Sequence, residues 1–178
     1  QAVAVRSRLQ ELLATLDIGF PVYLLVTKAD LLAGFLEFFD DLDREQREQV
    51  WGTTFDWRDD GATLPTAAEI DARFDELVAR IDRLRLDRLQ AERDPQRRAA
   101  IYGFVHQLAA IRPALASFVA SAFPATQLGR RPSLRGVYFT SGTQEGNPID
   151  RVMGSLARQF GLQRRMLPAA RPSGKSFF

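Results

Sequence analysis

The sequence predicts an α/β fold in which two apolar strands lie side by side in a parallel sheet, with a helical insertion between them. Three observations predict it. Residues 21–26 and 135–140 are short, β-rich runs without alternation, the pattern of strands covered on both faces in a parallel sheet. The stretch between them carries two long helical patterns, each with its own start signal. Each apolar run passes directly into a polar loop, which is how strands of open α/β sheets end at their ligand-binding edge.

In chain order, Val5, Leu9, Leu12, Leu13 and Leu16 recur at helical spacing, and Gly19 reads as the C-cap. Pro21 to Val26 is the first strand. Gly34 to Phe39 is aromatic and apolar, and Asp43 with Gln46 forms a capping box for a helix expected to run to about Trp51. Residues 52–65 read as loop. Thr66 with Glu69 forms a second capping box, opening a long helix whose seam is Ile70, Phe74, Leu77, Ile81 and Leu84, continuing toward Leu89. Asp94-Pro95 is an N-cap followed by proline at the first helical position, with Ile101, Phe104, Val105, Leu108 and Ile111 as the buried face. Pro113 kinks or restarts that helix. Arg135 to Thr140 is the second strand, and Asn147-Pro148 opens a helix carrying Ile149, Val152, Met153, Leu156 and Phe160. Two strands are half of a doubly wound domain, so further strands are expected upstream in a longer parent.

Composition narrows the chemistry. The 178 residues are 46% hydrophobic and 26% charged, which suits a folded globular chain. With no cysteine there are no disulfides, thiolate metal sites or cysteine nucleophiles, and a single histidine leaves zinc almost without ligands. His106 reads as a helix-surface or satisfied core residue. The net charge of +2 is uneven: residues 37–60 hold nine acids against three arginines, and residues 61–178 hold eighteen bases against ten acids. The two parts would attract one another or different partners. The interleaving of arginines with acids along a helix indicates a solvated face, so no nucleic-acid binding is expected. Asp40/Asp41 and Asp59/Asp60 are accounted for by loop and cap positions.

The two strand-to-loop junctions are the candidate site. Thr27-Lys28-Ala29-Asp30 follows the first strand, where P-loop GTPases place their Asn/Thr-Lys-x-Asp base-reading pattern. Ser141-Gly142-Thr143 follows the second, where such proteins offer backbone N–H groups to the base. Thr27, Lys28, Asp30, Ser141, Gly142 and Thr143 therefore predict a vestigial or partial nucleotide-base site on a partial P-loop-NTPase-like parallel sheet, its C-terminal half. Hydrolysis also needs a phosphate-cradling loop with its lysine and hydroxyl. Ala169 to Ser176 matches that pattern loosely, but no strand precedes it and no helix has room to follow, so it is rejected and no enzyme activity is expected.

The blocks Pro21 to Phe39, Arg44 to Phe55 and Val137 to Asp150 resemble the cytoplasmic domain of the TssM/IcmF family of type VI secretion proteins. The resemblance implies a membrane-anchored, oligomeric parent with this domain on the cytoplasmic face of the bacterial inner membrane. It implies the partners TssL, TssK and other baseplate subunits, and TssJ through a periplasmic part. It leaves any GTP or ATP to the longer parent, with no cofactor in this chain. The organisation expected is a core segment at 1–62, a helical insertion at 63–128, the final strand and helix at 129–163 and an extended tail at 164–178. The acidic, aromatic segment from Phe35 to Trp51 and the helical insertion are the expected docking surfaces.

Overall fold

Residues 1–56, 65–123 and 132–141 are described by the computed structural model. The sheet is organised by its central strand, β3 (Ser133–Phe139), which lies between β1 (Pro21–Val26) and β2 (Trp51–Thr54). β1 and β3 run parallel, in register from Pro21↔Ser133 to Val26↔Phe139, as the sequence predicts. A register shift between Val22 and Tyr23 leaves Arg135 as the extra residue on β3.

Two expectations for the sheet are corrected. β2 pairs antiparallel with β3, Trp51 opposite Phe139 and Thr54 opposite Gly136, so the sheet is mixed. Trp51 thus begins a strand and does not end a helix, and Gly52 to Thr54 belong to that strand and not to a loop. The preceding helix, α3 (Arg44–Arg47), closes after one turn despite its complete Asp43/Gln46 capping box. A box fixes where a helix begins; here the burial of Trp51 against Phe35, Phe39 and Phe139 dictates where the chain leaves it.

Among the described residues, β1 is covered on one face only. Val22, Leu24 and Val26 pack toward the core, whereas Tyr23 and Leu25 are 54% and 58% exposed. Every side chain in Pro-Val-Tyr-Leu-Leu-Val is apolar, so the alternation of exposure has no counterpart in the pattern of residue types.

The inner face of the sheet packs on helices. α2 (Phe35–Phe39), α5 (Pro95–Ala109) and β2 bring together Phe35, Phe38, Phe39, Trp51 and Phe104, whose ring centroids lie 4.8–6.4 Å apart. Such tilted and edge-on pairs add to the area each ring removes from water. Phe35, Phe38 and Phe104 are fully buried, and the buried apolar residues of sheet and helices form one cluster. The aromatic rings between Phe35 and Trp51 are therefore core and have no surface to offer a partner.

α4 (Ala67–Ala91) starts at the predicted Thr66/Glu69 capping box. It runs antiparallel to α5 and α6 (Arg112–Ala122): Leu89 O accepts from Arg98, Arg85 lies over the Tyr102 ring and Asp75 pairs with Arg112. Its seam buries Ile70, Phe74, Leu77 and Ile81, is interrupted at Leu84, which is 43% exposed, and meets the core again at the partly buried Leu89. Asp94 caps α5 by accepting from the N–H groups of Gln96 and Arg97, and Pro113 lies in the first turn of a new helix.

α1 (Ala2–Leu16) lies against α6 and buries no residue fully. Val5, Leu12 and Leu16 of its predicted seam are exposed. Its C-terminal turn is capped by Asp17 in the left-handed region (φ 49°), not by Gly19; aspartate tolerates that region better than most residues. The predicted helix over 147–161, the Ala169–Ser176 pattern and Asp59/Asp60 lie outside the described residues.

Candidate functional site

The parallel pairing of β1 with β3 is what builds the candidate site, because it places the loops that follow both strands on one rim. The ladder continues past the strand ends: Thr140 N donates to Val26 O and Ala29 N donates to Thr140 O, each at 3.0 Å. Ala29 is consequently buried and fixed, while Thr27 and Lys28 on the turn before it are exposed. Lys28 takes the left-handed conformation (φ 62°, ψ 38°), an unusual one for a residue with a long side chain. It turns the chain into a short 3₁₀ helix, Ala29–Leu31, with Leu31 N donating to Lys28 O.

Asp30 lies in that helix and is half-buried. Its Oδ1 is buried with no hydrogen-bond partner among the described residues. A buried carboxylate oxygen left without a donor is costly, and such an atom can accept from an N–H donor. Ser141, buried at 4% exposure, follows β3 on the same rim. The structure thus brings Thr27, Lys28, Asp30 and Ser141 together; Gly142 and Thr143 lie outside the described residues.

Among the described residues, three of the nine acids in residues 37–60 pair with arginines of the later part of the chain. Asp40 pairs with Arg97 at 3.1 Å, Asp41 with Arg88, and Asp56 with Arg73 at 3.1 Å. Arg88 also stacks over Phe38, with its guanidinium carbon 5.2 Å from the ring centroid, and burial pulls its pKa down. The bond to Glu92 holds Arg97 above its ordinary range, partly opposed by burial. The acids near Phe38 therefore tie the α2 region to α4 and α5. His106 is exposed on α5 beside Tyr102, as expected for a helix-surface histidine.

Cavities of about 490 and 120 Å³ open away from the rim, along the side of β2 that faces α4. The larger is lined by Gly52, Thr54, Arg73, Glu76, Arg80 and Arg83 among others. Sequence reasoning missed this group. With residues 52–65 read as loop, nothing set the arginines of α4 beside a strand edge.

Comparison with known proteins decides the family. The model of the IcmF-related N-terminal domain matches residues 1–178, the whole chain. The chain belongs to the TssM/IcmF family. A curated relative, the type VI secretion system component TssM1 of Pseudomonas aeruginosa (strain PAO1), is 47% identical over 177 residues. That alignment covers 99% of this chain and 16% of the relative, so this TssM/IcmF chain spans about a sixth of the length of the curated protein it matches. No solved structure matches. Among the described residues of this family member, no helix is long and apolar enough to cross a membrane.

Proposed function

We propose that this chain is a scaffold and interaction module of the type VI secretion membrane complex. In this reading it stands on the cytoplasmic face of the inner membrane as part of a longer, anchored and oligomeric parent. Its direct partners are the cytoplasmic domain of TssL and the baseplate subunit TssK, and TssJ is reached through a periplasmic part of the parent. The observation that carries the reading is the match to a type VI secretion component across nearly the whole chain. Because the phenyl rings of Phe35, Phe38 and Phe39 are core, docking is assigned to the exposed faces of the helical layer and not to the aromatic segment. Immobilised chain should retain purified TssL cytoplasmic domain or TssK at micromolar concentrations. Loss of both at high micromolar concentration overturns the reading.

A second reading is favoured by Asp30 Oδ1. On a partial P-loop-NTPase-like sheet, Asp30 would accept from the base edge and the Lys28 stem would lie over its face, making the parent a GTPase-like nucleotide switch for which this chain supplies base recognition without catalysis. Calorimetric titration of GTP and ATP into a longer form of the protein, with and without Asp30→Ala, tests it. Binding that the substitution weakens at least tenfold supports the base-reading role, and equal affinity removes it.

A further inference from the structure

We propose that the groove between β2 and α4 binds an acidic, extended segment of a partner protein, which adds as a strand to the outer edge of β2. This rests on the interaction-module reading above and names the partner's chemistry at one surface.

The edge is defined by hydrogen bonding. Phe55 N donates to Arg135 O at 2.8 Å, so by the alternation of an antiparallel ladder Trp51, Thr53 and Phe55 direct their backbone groups toward β3. Gly52 and Thr54 direct theirs outward. The outward carbonyl of Gly52 accepts from Arg80 Nη2 at 3.0 Å, which confirms the alternation. β3 occupies the other side of β2, and the outward groups of Gly52 and Thr54 open onto the cavity of about 490 Å³. Its size lies in the range of about 300–1,000 Å³ typical of ligand clefts. Arg80 takes one lone pair of the Gly52 carbonyl, and among the described residues no strand pairs with this edge, which leaves it a template for another extended chain.

The charges select what that chain carries. α4 holds five arginines. Arg73 pairs with Asp56 and Glu76, Arg85 with Asp82 and Arg88 with Asp41. Arg80 and Arg83 have no carboxylate partner among the described residues, and both line this groove. They stand three residues apart on one helix face, about 4.5 Å along the axis, while alternate residues of an added strand stand about 6.8 Å apart. A segment with acids at positions i and i+2 on one face meets both guanidinium groups and makes the charge-assisted, forked hydrogen bonds that arginine favours.

The other end of the groove shapes the choice between peptide and nucleic acid. Glu76 and Asp56 lie beside Arg73 there and neutralise it. A nucleic-acid backbone, charged at every step, would run into those carboxylates; a peptide places its acids at Arg80 and Arg83 and an uncharged residue at the far end.

Fluorescence anisotropy on the full chain tests this with a labelled peptide of about eight residues carrying glutamate at alternate positions between threonine and valine. Saturable binding is expected, weakened at least fivefold by Arg83→Ala, whose side chain has no carboxylate partner among the described residues, and at least tenfold by Arg80→Ala/Arg83→Ala. A peptide with proline at the positions that pair with Gly52 and Thr54 should bind at least tenfold more weakly, and amide exchange should slow at Gly52 and Thr54 but change little at Thr53. No saturation at millimolar peptide, affinity indifferent to Arg83→Ala, or tighter binding of a single-stranded RNA of equal charge each overturns the proposal. If TssL or TssK is still retained in that case, the groove assignment fails and the scaffold reading stands.

Discussion

Gly34 sits against the carbonyl of Ala100 on α5, closely enough that a Cβ on the glycine would overlap that oxygen and approach Phe104 Cβ to 3.1 Å. Gly34 is also in the left-handed region, at φ 84°. The close approach lets α2 drop its three phenylalanines into the core. Gly34→Ala meets both obstacles, a left-handed backbone costing about 1–2 kcal/mol and a collision with backbone that cannot swing aside. We expect a loss of roughly 2 kcal/mol or more, read as a lower urea midpoint with an unchanged slope.

Phe104 touches Phe35, Phe38 and Phe39, with centroids 5.8, 4.9 and 5.5 Å away. Phe104→Ala should cost about 3–5 kcal/mol, since it removes a fully buried ring and leaves a cavity between sheet and helices. Tyr102→Ala on the exposed side of the same helix should cost about 1 kcal/mol or less. Equal losses in equilibrium unfolding would show that this aromatic group does not hold the two layers together.

Thr66 accepts from Glu69 N at 3.2 Å and Glu69 Oε2 accepts from Thr66 N at 2.7 Å. Thr66→Ala removes the cap from the longest helix and should cost about 1 kcal/mol. Thr66→Ser, which keeps the hydroxyl, should cost a few tenths at most, and thermal melts of the pair measure the difference.

Glu92 accepts from Arg97 Nε at 2.6 Å and from the N–H groups of Arg93 and Asp94. These bonds, that to Arg97 first, hold its carboxyl below the ordinary range. The unfolded chain therefore binds this proton more readily than the folded one. The contribution is fully present above the unfolded value, about 4.3, and is lost as pH falls through the lower folded value. Glu92→Gln should flatten the acid side of the stability curve and leave its shape near neutral pH unchanged. Identical acid slopes in urea unfolding across that window would exclude Glu92 from the acid response.

Much of the frame was legible because single residues or short patterns determine it. Thr66/Glu69, Asp43/Gln46 and Asp94-Pro95 mark helix starts through local hydrogen bonds, and the steps from Ile70 to Ile81 mark one buried face. The β1–β3 pairing followed from two apolar runs with room for a crossover between them. β2 was not legible: Trp-Gly-Thr-Thr is short and holds a glycine, and its place comes from Trp51 filling a gap among distant rings. The exposed sides of β1 and α1 were hidden for the opposite reason, since their side chains are apolar whether or not another element covers them. At the rim, residue types placed Thr27, Lys28, Asp30 and Ser141, but the lone Oδ1 of Asp30 and the left-handed turn at Lys28 emerge only from the folded backbone.

The central strand of the sheet is the last of the described elements in chain order, and its parallel neighbour is among the first. About a hundred residues separate them, so during synthesis β1 waits on the order of ten seconds for the strand it pairs with. Val22, Leu24 and Val26, which face the core in the finished sheet, lack that cover during the interval, and β1 and β2 cannot find each other without the strand between them. A ribosome-bound chain ending before residue 133 should therefore hold its helices but bind folding chaperones, and release should follow the emergence of Phe139.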